Sequence, residues 1–389
     1  MNKIEELIRQ LCPEGVEFKE LGEVLEYEQP SKYIVESTNY HNAYETPVLT
    51  AGQTFILGYT DEKQGVYDAS QDNPAIIFDD FTTSFHWVDF KFKVKSSAMK
   101  MLRPKKGADV TLRYIYFAMR CVEYYAQDHA RQWISVYSKF QIPIPPLPVQ
   151  QEIVTILDTF TQLEAELEAE LEARKKQYEY YRNELLTFGD EVEWKTLGEV
   201  MTITRGASPR PISNFITNES DGVPWIKIGD VEPKSKFITT TKEKITKEGA
   251  KKSRFLRKGD FILSNSMSFG RPYILAIDGC IHDGWISMQH FENNLKPDFL
   301  YHLLRSNSIQ NYWKQKASSG TVQNLNADIV RATEIPIPPL AEQERIAGIL
   351  DHFDTLVNDI TIGLPAEIEA RRKQYEYYRE KLLSFDRAE

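Results

Sequence analysis

Residues 141–160 read QIPIPPLPVQQEIVTILDTF, and residues 334–353 read EIPIPPLAEQERIAGILDHF. The match extends both ways. VEFKELGEV (16–24) recurs as VEWKTLGEV (192–200), and ARKKQYEYYRNELLTF (173–188) recurs as ARRKQYEYYREKLLSF (370–385). Between these agreeing segments lie two long stretches that do not resemble one another. Self-similarity at this scale predicts an internal repeat in which the connectors hold geometry and the unlike bodies hold specificity.

Pro143, Pro145 and Pro146, and their counterparts Pro336, Pro338 and Pro339, donate no backbone hydrogen bond and bias the residues before them to extended conformations. Each triplet therefore predicts a stiff strap leading into a helix. Beyond the straps, Ile153, Ile156, Phe160, Leu163 and Leu167 follow 3-4 spacing, as do Ile346, Ile349, Phe353, Leu356 and Ile360. Tyr178, Tyr181, Leu185 and Phe188 resume the seam, matched by Tyr375, Tyr378, Leu382 and Phe385. Two such helices, each about 57 Å long at 1.5 Å per residue, are expected to pack antiparallel within the chain about a pseudo-twofold axis. In LEAELEAELEA (163–173) the leucines recur every four residues, a stutter in the heptad. One such unit adds about 6 Å, nearly two base-pair steps of about 3.4 Å. The second copy has ITIGLPAEIEA there, where Gly363 and Pro365 are expected to kink or break the helix.

The chain of 389 residues, 41% hydrophobic, is long enough for two or three domains. No charged leader precedes an apolar run and no stretch reaches the roughly 18–20 apolar residues of a membrane span, so a cytoplasmic location and no membrane partner are expected. The three cysteines, Cys12, Cys121 and Cys280, lack disulfide or zinc spacing. Net charge is −10, yet residues 150–188 and 341–389 together hold 20 acids against 11 bases, so the remainder is close to neutral. Within it, residues 91–139 carry 11 Lys/Arg against 3 acids and residues 227–258 carry 11 against 4. Each half thus has a basic stretch suited to a phosphate backbone.

The duplicated IPIPPL…Q, ILD.F and KQYEYYR..LL.F connectors, with LGEV opening each body, resemble the specificity subunits of type I restriction-modification systems along essentially the whole chain. The resemblance implies an α+β chain with a pseudo-twofold internal repeat: two target-recognition domains of mixed α/β fold on two long antiparallel coiled-coil helices. The expected division is an N-terminal helical segment (1–16), a first recognition domain (17–147), a central helical spacer (148–188), a second recognition domain (189–340) and a C-terminal helical spacer (341–389). It also implies that each domain reads half of a bipartite double-stranded DNA site, and that the helices dock two methyltransferase (modification) subunits. Restriction/translocase subunits would join them. S-adenosylmethionine, ATP and Mg are then expected on the partner subunits, with no cofactor bound by this chain. Because the bodies vary within that family, the resemblance assigns no base-contact residue.

The sequence has no methyltransferase N-P-P-[YF] or D-P-P-[YF] motif and no phosphate-binding G-x-x-x-x-G-K-[ST] loop. A self-contained nuclease or methyltransferase is therefore disfavoured, and a protein scaffold that never touches DNA leaves the paired basic stretches unexplained. Asp79 and Asp80 with His86 lack a third clustered ligand for a metal; turn or fold roles, or acceptance from base amino groups, fit them better. Lys91, Lys93 and Lys95 alternate with Phe92 and Val94, which predicts a strand with one wet charged face. Lys91, Lys93 and, in the second stretch, Lys227 are candidate DNA contacts. Polar segments without an apolar period are the expected base readers. From them Gln53, Arg131, Gln132, Asn265, Arg271 and Gln323 are candidates, since Asn, Gln and Arg make bidentate pairs with adenine and guanine. ARQWISVYSK (130–139) and SSGTVQNLN (318–326) stand equivalently before the two straps. Tyr180 and Tyr377 lie off the helical seam and are candidates for methyltransferase docking.

Overall fold

The computed structural model describes residues 2–50, 54–126, 130–231, 235–265, 269–317 and 324–388. The chain divides into two compact units, Met1–Glu166 with Glu369–Glu389, and Leu167–Ile368. The central helix, Leu147–Leu185, is 39 residues long and passes from the first unit into the second. The second copy breaks where Gly363 and Pro365 predict it, giving helices Leu340–Asn358 and Leu364–Leu382.

The repeated opening segment and the repeated strap recur together because they pair with each other. Glu17–Glu20 lies antiparallel to Gln141–Ile144, with Phe18 opposite Pro143. Glu193–Thr196 lies antiparallel to Glu334–Ile337, with Trp194 opposite Pro336. Each ladder has only two strands, so a proline that cannot donate is tolerated at an edge. LGEV then forms a single helical turn with a reciprocal cap: the Glu20 N–H donates to Glu23 (2.7 Å) and the Thr196 N–H to Glu199 (2.6 Å). Gly22 and Gly198 let this turn lie close to the segment before the strap, because a Cβ there would sit 3.1 Å from Ser138 and 3.2 Å from Arg331.

The glutamine repeated in both connectors is a buried clamp. Gln150 donates to the carbonyls of Pro145 and Asp109 (both 2.8 Å) and accepts from the Thr111 N–H (2.9 Å). Gln343 donates to the carbonyls of Pro338 (2.8 Å) and Asn294 (2.9 Å) and accepts from the Lys296 N–H (2.8 Å). In each unit one side chain thus ties strap, long helix and the start of the body's own helix, Leu112–Met119 or Pro297–Leu304.

In the first unit, a four-stranded antiparallel sheet runs in the order Leu25–Glu28, Met99–Pro104, Ala75–Asp79, Phe85–Val88, beside a three-stranded sheet of Ile56–Thr60, Thr46–Leu49 and Lys93–Val94. In the second unit, Thr202–Arg205, Trp285–Gln289, Phe261–Ser264, Pro272–Leu275 and Phe237–Ile238 form one sheet. Five further short strands between Ile216 and Ile281 form another. The deepest helix positions belong to the cores of these bodies: Val149, Ile153 and Leu157 in the first unit, Ile346 and Leu350 in the second, are all fully buried.

The expected helix seam exists, but it is shallower. In the first unit Phe160 stacks on Tyr378 (5.5 Å) and contacts Tyr375, while Arg372 bonds Glu164, an antiparallel register. In the second unit Phe353 stacks on Tyr181 (5.5 Å) and Tyr178 (6.3 Å). The phenylalanine of one copy therefore meets the tyrosines of the other, in both units. Ile360, expected in the seam, is 62% exposed because the helix has ended at Asn358. The C-terminal tail closes the first unit: the Val16 N–H donates to Asp386 and the Ala388 N–H to Val16. Gly15, at φ +99°, is required there, since a Cβ would lie 2.7 Å from the Ala388 nitrogen.

Candidate nucleic-acid interface

Gln132 and Leu325, each in the polar stretch before its strap, bond to the same point of their bodies. In the first unit, Asp80 follows the strand Ala75–Asp79; its N–H donates to the Ala98 carbonyl (2.9 Å) and its carbonyl accepts from the Gln132 N–H (2.7 Å). In the second, Asn265 follows the strand Phe261–Ser264; its N–H donates to the Gly284 carbonyl (3.2 Å) and its carbonyl accepts from the Leu325 N–H (2.8 Å). Asp80 and Asn265 are therefore structural equivalents, and so are the segments they hold. The equivalence is invisible in the side chains.

Asp80 organises the corner of the first unit. Its carboxylate is buried, faces the Lys100 ammonium (3.1 Å, itself buried), accepts from the Trp133 N–H (2.8 Å) and tethers the half-exposed Arg131 (3.5 Å). Lys100 also lies over the Tyr27 ring at 4.2 Å. Asp79 accepts from the Phe81 and Thr82 N–H groups, a turn role. Among the described residues no cluster of three His, Cys, Asp or Glu is arranged to hold a metal.

The second unit gathers its corner on Asp283, which sequence reasoning did not single out. The carboxylate accepts from the Ser208 hydroxyl (2.9 Å) and Arg210 (3.3 Å), while the backbone carbonyl accepts from Arg205 Nε (3.0 Å) and Asn265 Nδ2 (3.4 Å). The Ser208 hydroxyl above all, with the His282 and Arg210 charges, holds the Asp283 carboxyl below the ordinary carboxylate range. The signal was present in RGASPRP (205–211), a polar, Gly/Pro-marked stretch without apolar period.

The remaining candidates divide by burial. Lys91 is exposed, 3.0 Å from Asp68. Lys93 is not on a wet face: it is 3% exposed, 2.7 Å from Glu62 and donating to the Gln64 carbonyl. Burial alone would raise the Glu62 carboxyl, but the Lys93 ammonium and the Ser37 and Glu36 N–H groups hold it low. The strict alternation expected of Lys91–Lys95 fails because this internal ion pair turns the middle lysine inward. Gln132 is likewise buried, accepting from the Tyr124 hydroxyl (2.8 Å) and donating to the Ala130 carbonyl. Asn265 is 6% exposed and engaged as described. For these three the structure assigns places inside the fold. Lys227 is part-buried against Glu243, and Arg271 is part-buried with its guanidinium 5.4 Å from the Tyr273 ring. Gln53 and Gln323 lie outside the described residues. Tyr180 and Tyr377 are 59% and 58% exposed, each edge-on to the tyrosine that follows it.

Two unlike α+β bodies, each mounted on a long helix through the same glutamine clamp and each holding an arginine beside an aspartate at an equivalent corner, define a protein class: a duplicated frame that carries two different bodies. The type I restriction modification DNA specificity domain matches residues 13–173 and 189–370. The chain is 42% identical over 395 residues to the type I restriction enzyme EcoR124I/EcoR124II specificity subunit of Escherichia coli, covering 96% of this chain and 95% of that one. It is 34% identical over 347 residues to a putative type I restriction enzyme specificity subunit of Haemophilus influenzae, covering 86% of each. Its fold matches that of the crystallised type I restriction-modification S subunit of M. genitalium at TM-score 0.58 and 15% identity, covering 95% of this chain and 96% of that chain. A chain from a structure of type I R-M complex assembly matches at TM-score 0.61 and 18% identity, covering 95% and 97%. The chain belongs to the type I restriction-modification specificity subunits, non-catalytic components that recognise the DNA target. No helix among the described residues is long and apolar enough to cross a membrane.

Proposed function

We propose that each unit reads one half of a bipartite site in double-stranded DNA. The observation that carries this reading is the equivalent suspension of the two pre-strap segments from Asp80 and Asn265. Segments of unrelated sequence held at one point of a repeated frame are what a protein needs to read two different sequences with one architecture. Arg131 and Lys91 in the first unit, and Lys227 and Arg271 in the second, are the candidate contacts that retain solvent access. Lysines of this kind position the body on phosphates while arginine reads base edges. Gln53 and Gln323 keep the same proposed role.

The exposed tyrosine pair, Tyr180 and Tyr377, sits at matching positions of the two KQYEYYR segments, which suits docking of two copies of one partner. We assign that role to two methyltransferase subunits, which would bring S-adenosylmethionine. Restriction/translocase subunits would bring ATP and Mg. Outside the two helical segments the chain is close to neutral, and Lys93 and Lys100 are turned inward onto Glu62 and Asp80, so affinity for DNA from this chain alone is expected to be modest. Mixing the purified chain with methyltransferase subunits should yield a complex with tight, site-selective binding. Absence of any gain over either component would refute the proposal.

A further inference from the structure

We propose that Asp283 is a positioning residue that sets Arg205 and Arg210 for sequence discrimination in the half-site read by the second unit. The inference rests on the reading of each unit as a half-site reader. Three segments distant in sequence converge on Asp283: Arg205, Ser208 and Arg210 from one loop, Asn265 from a second, and the 282–284 turn itself. The first loop is fastened to the third along its backbone, through Gly206 N–H to the Trp285 carbonyl (2.8 Å) and Ala207 N–H to the Ile281 carbonyl (3.3 Å). Gly206 makes this approach possible, because a Cβ would lie 2.0 Å from the His282 carbonyl oxygen.

Such construction adds little stability, since exposed ion pairs are weak and screened. What it supplies is placement. Arg205 and Arg210 are exposed, Arg210 with 82% of its side chain open, and long exposed arginines otherwise lose rotamer freedom when they engage a target. Arg205 is held through Nε and Arg210 through one terminal nitrogen. The tether on Arg205 leaves its two terminal nitrogens as a fork, the geometry that matches guanine O6 and N7. The location is also the expected one. Asp283 adjoins Gly284, the partner of Asn265, and that pair corresponds to Ala98 and Asp80 in the first unit, where the carboxylate of Asp80 tethers Arg131. Both units therefore hold an arginine by an aspartate at the same corner, with the aspartate supplied from a different segment in each.

The test uses the full chain assembled with the methyltransferase subunits of its own system. The recognised sequence is first read from the bases that complex methylates, and kcat/KM is then measured on duplexes with single base-pair changes in either half. D283A is expected to relax discrimination about tenfold or more at one or two pairs of one half-site, the scale of a lost bidentate contact. D283N should fall between, since it retains an acceptor for Ser208 without the charge. R210A, at an exposed side chain held by the Asp283 carboxylate, should act at the same pairs and add little when combined with D283A, whereas R205A, whose tether is the Asp283 backbone carbonyl that D283A retains, should relax discrimination in the same half-site and add to D283A. R131A should act on the opposite half. If D283A lowers kcat/KM by one factor on every duplex, or if R205A and R210A leave discrimination unchanged, the inference is overturned while the two-reader assignment survives through R131A. If the unmodified complex discriminates at neither half, the two-reader assignment itself fails.

Discussion

At the scale of single residues, the buried charges decide more than the exposed ones. Asp80 is the only described carboxylate facing the buried Lys100 ammonium in an ion pair, and removal of one partner leaves an uncompensated internal charge. Asp80→Ala is expected to destabilise the first unit by about 3–5 kcal/mol, read as a lower urea midpoint, whereas Lys91→Ala, at an exposed pair, should change it by less than about 1 kcal/mol. In the second unit His302 is wholly buried, accepting at Nδ1 from the Tyr178 hydroxyl (3.2 Å) and donating from Nε2 to Asp351 (2.9 Å). Lys236 bridges Asp351 and Asp298, and Arg305 pairs with Asp354 close by. Burial pushes the His302 imidazole below its ordinary value despite the Asp351 carboxylate. The unfolded chain therefore takes up this proton first as pH falls. Stability contributed by His302 is present above about pH 6.5 and is lost as pH drops below it toward the depressed folded value. His302→Phe, which places there the residue that the first copy carries at Phe117, should flatten that part of the stability-pH curve. A variant with an unchanged slope between pH 7.5 and 5 would exclude His302 as its origin.

At the scale of elements, the repeated motifs are mutual partners. The strap prolines are accommodated because each strap is one edge of a two-stranded ladder with the LGEV-bearing segment. The glutamine eight residues after the first strap isoleucine, Gln150 or Gln343, is a three-bond clamp rather than a surface polar residue. Gln343→Leu keeps approximate volume and leaves two carbonyls and one N–H without partners. It should cost on the order of 2–3 kcal/mol and loosen the second body on its helix, seen as faster amide exchange around Asn294 and Lys296. The same substitution at Gln150 should act on Asp109 and Thr111. The central helix is continuous through LEAELEAELEA, whereas the second copy is broken at residues 359–363.

At the scale of the whole molecule, the central helix belongs to both units, so its length is a property that neither unit sets alone. Inserting one more Leu-Glu-Ala-Glu unit adds about 6 Å of helix and should move the preferred separation of the half-sites by one to two steps of about 3.4 Å, while leaving both half-site sequences unchanged. Methylation mapped with the extended chain would show an unchanged spacer if the helix does not set it. Tyr180→Ala and Tyr377→Ala should each weaken methyltransferase capture by about tenfold or more if these rings anchor the partner, measured by titration of the subunits onto the chain. Equal effects of the two variants would match the repeat.

The amino-acid sequence by itself determined the repeat, the strap and helix succession, the break at Gly363 and Pro365, and through them the family, because these rest on local rules of proline, helix periodicity and self-similarity. Tertiary structure alone decided which polar residues are available. Lys93, Gln132 and Asn265 read as surface chemistry in a linear pattern, yet each lies inside, since their partners Glu62, Tyr124 and Asp283 stand 31, 8 and 18 residues away in segments whose approach no local period encodes. The same reason hid the arginines gathered on Asp283 and the equivalence of Asp80 with Asn265. Backbone hydrogen bonds across folded strands carry no side-chain signature, so they become legible only once the chain has closed on itself.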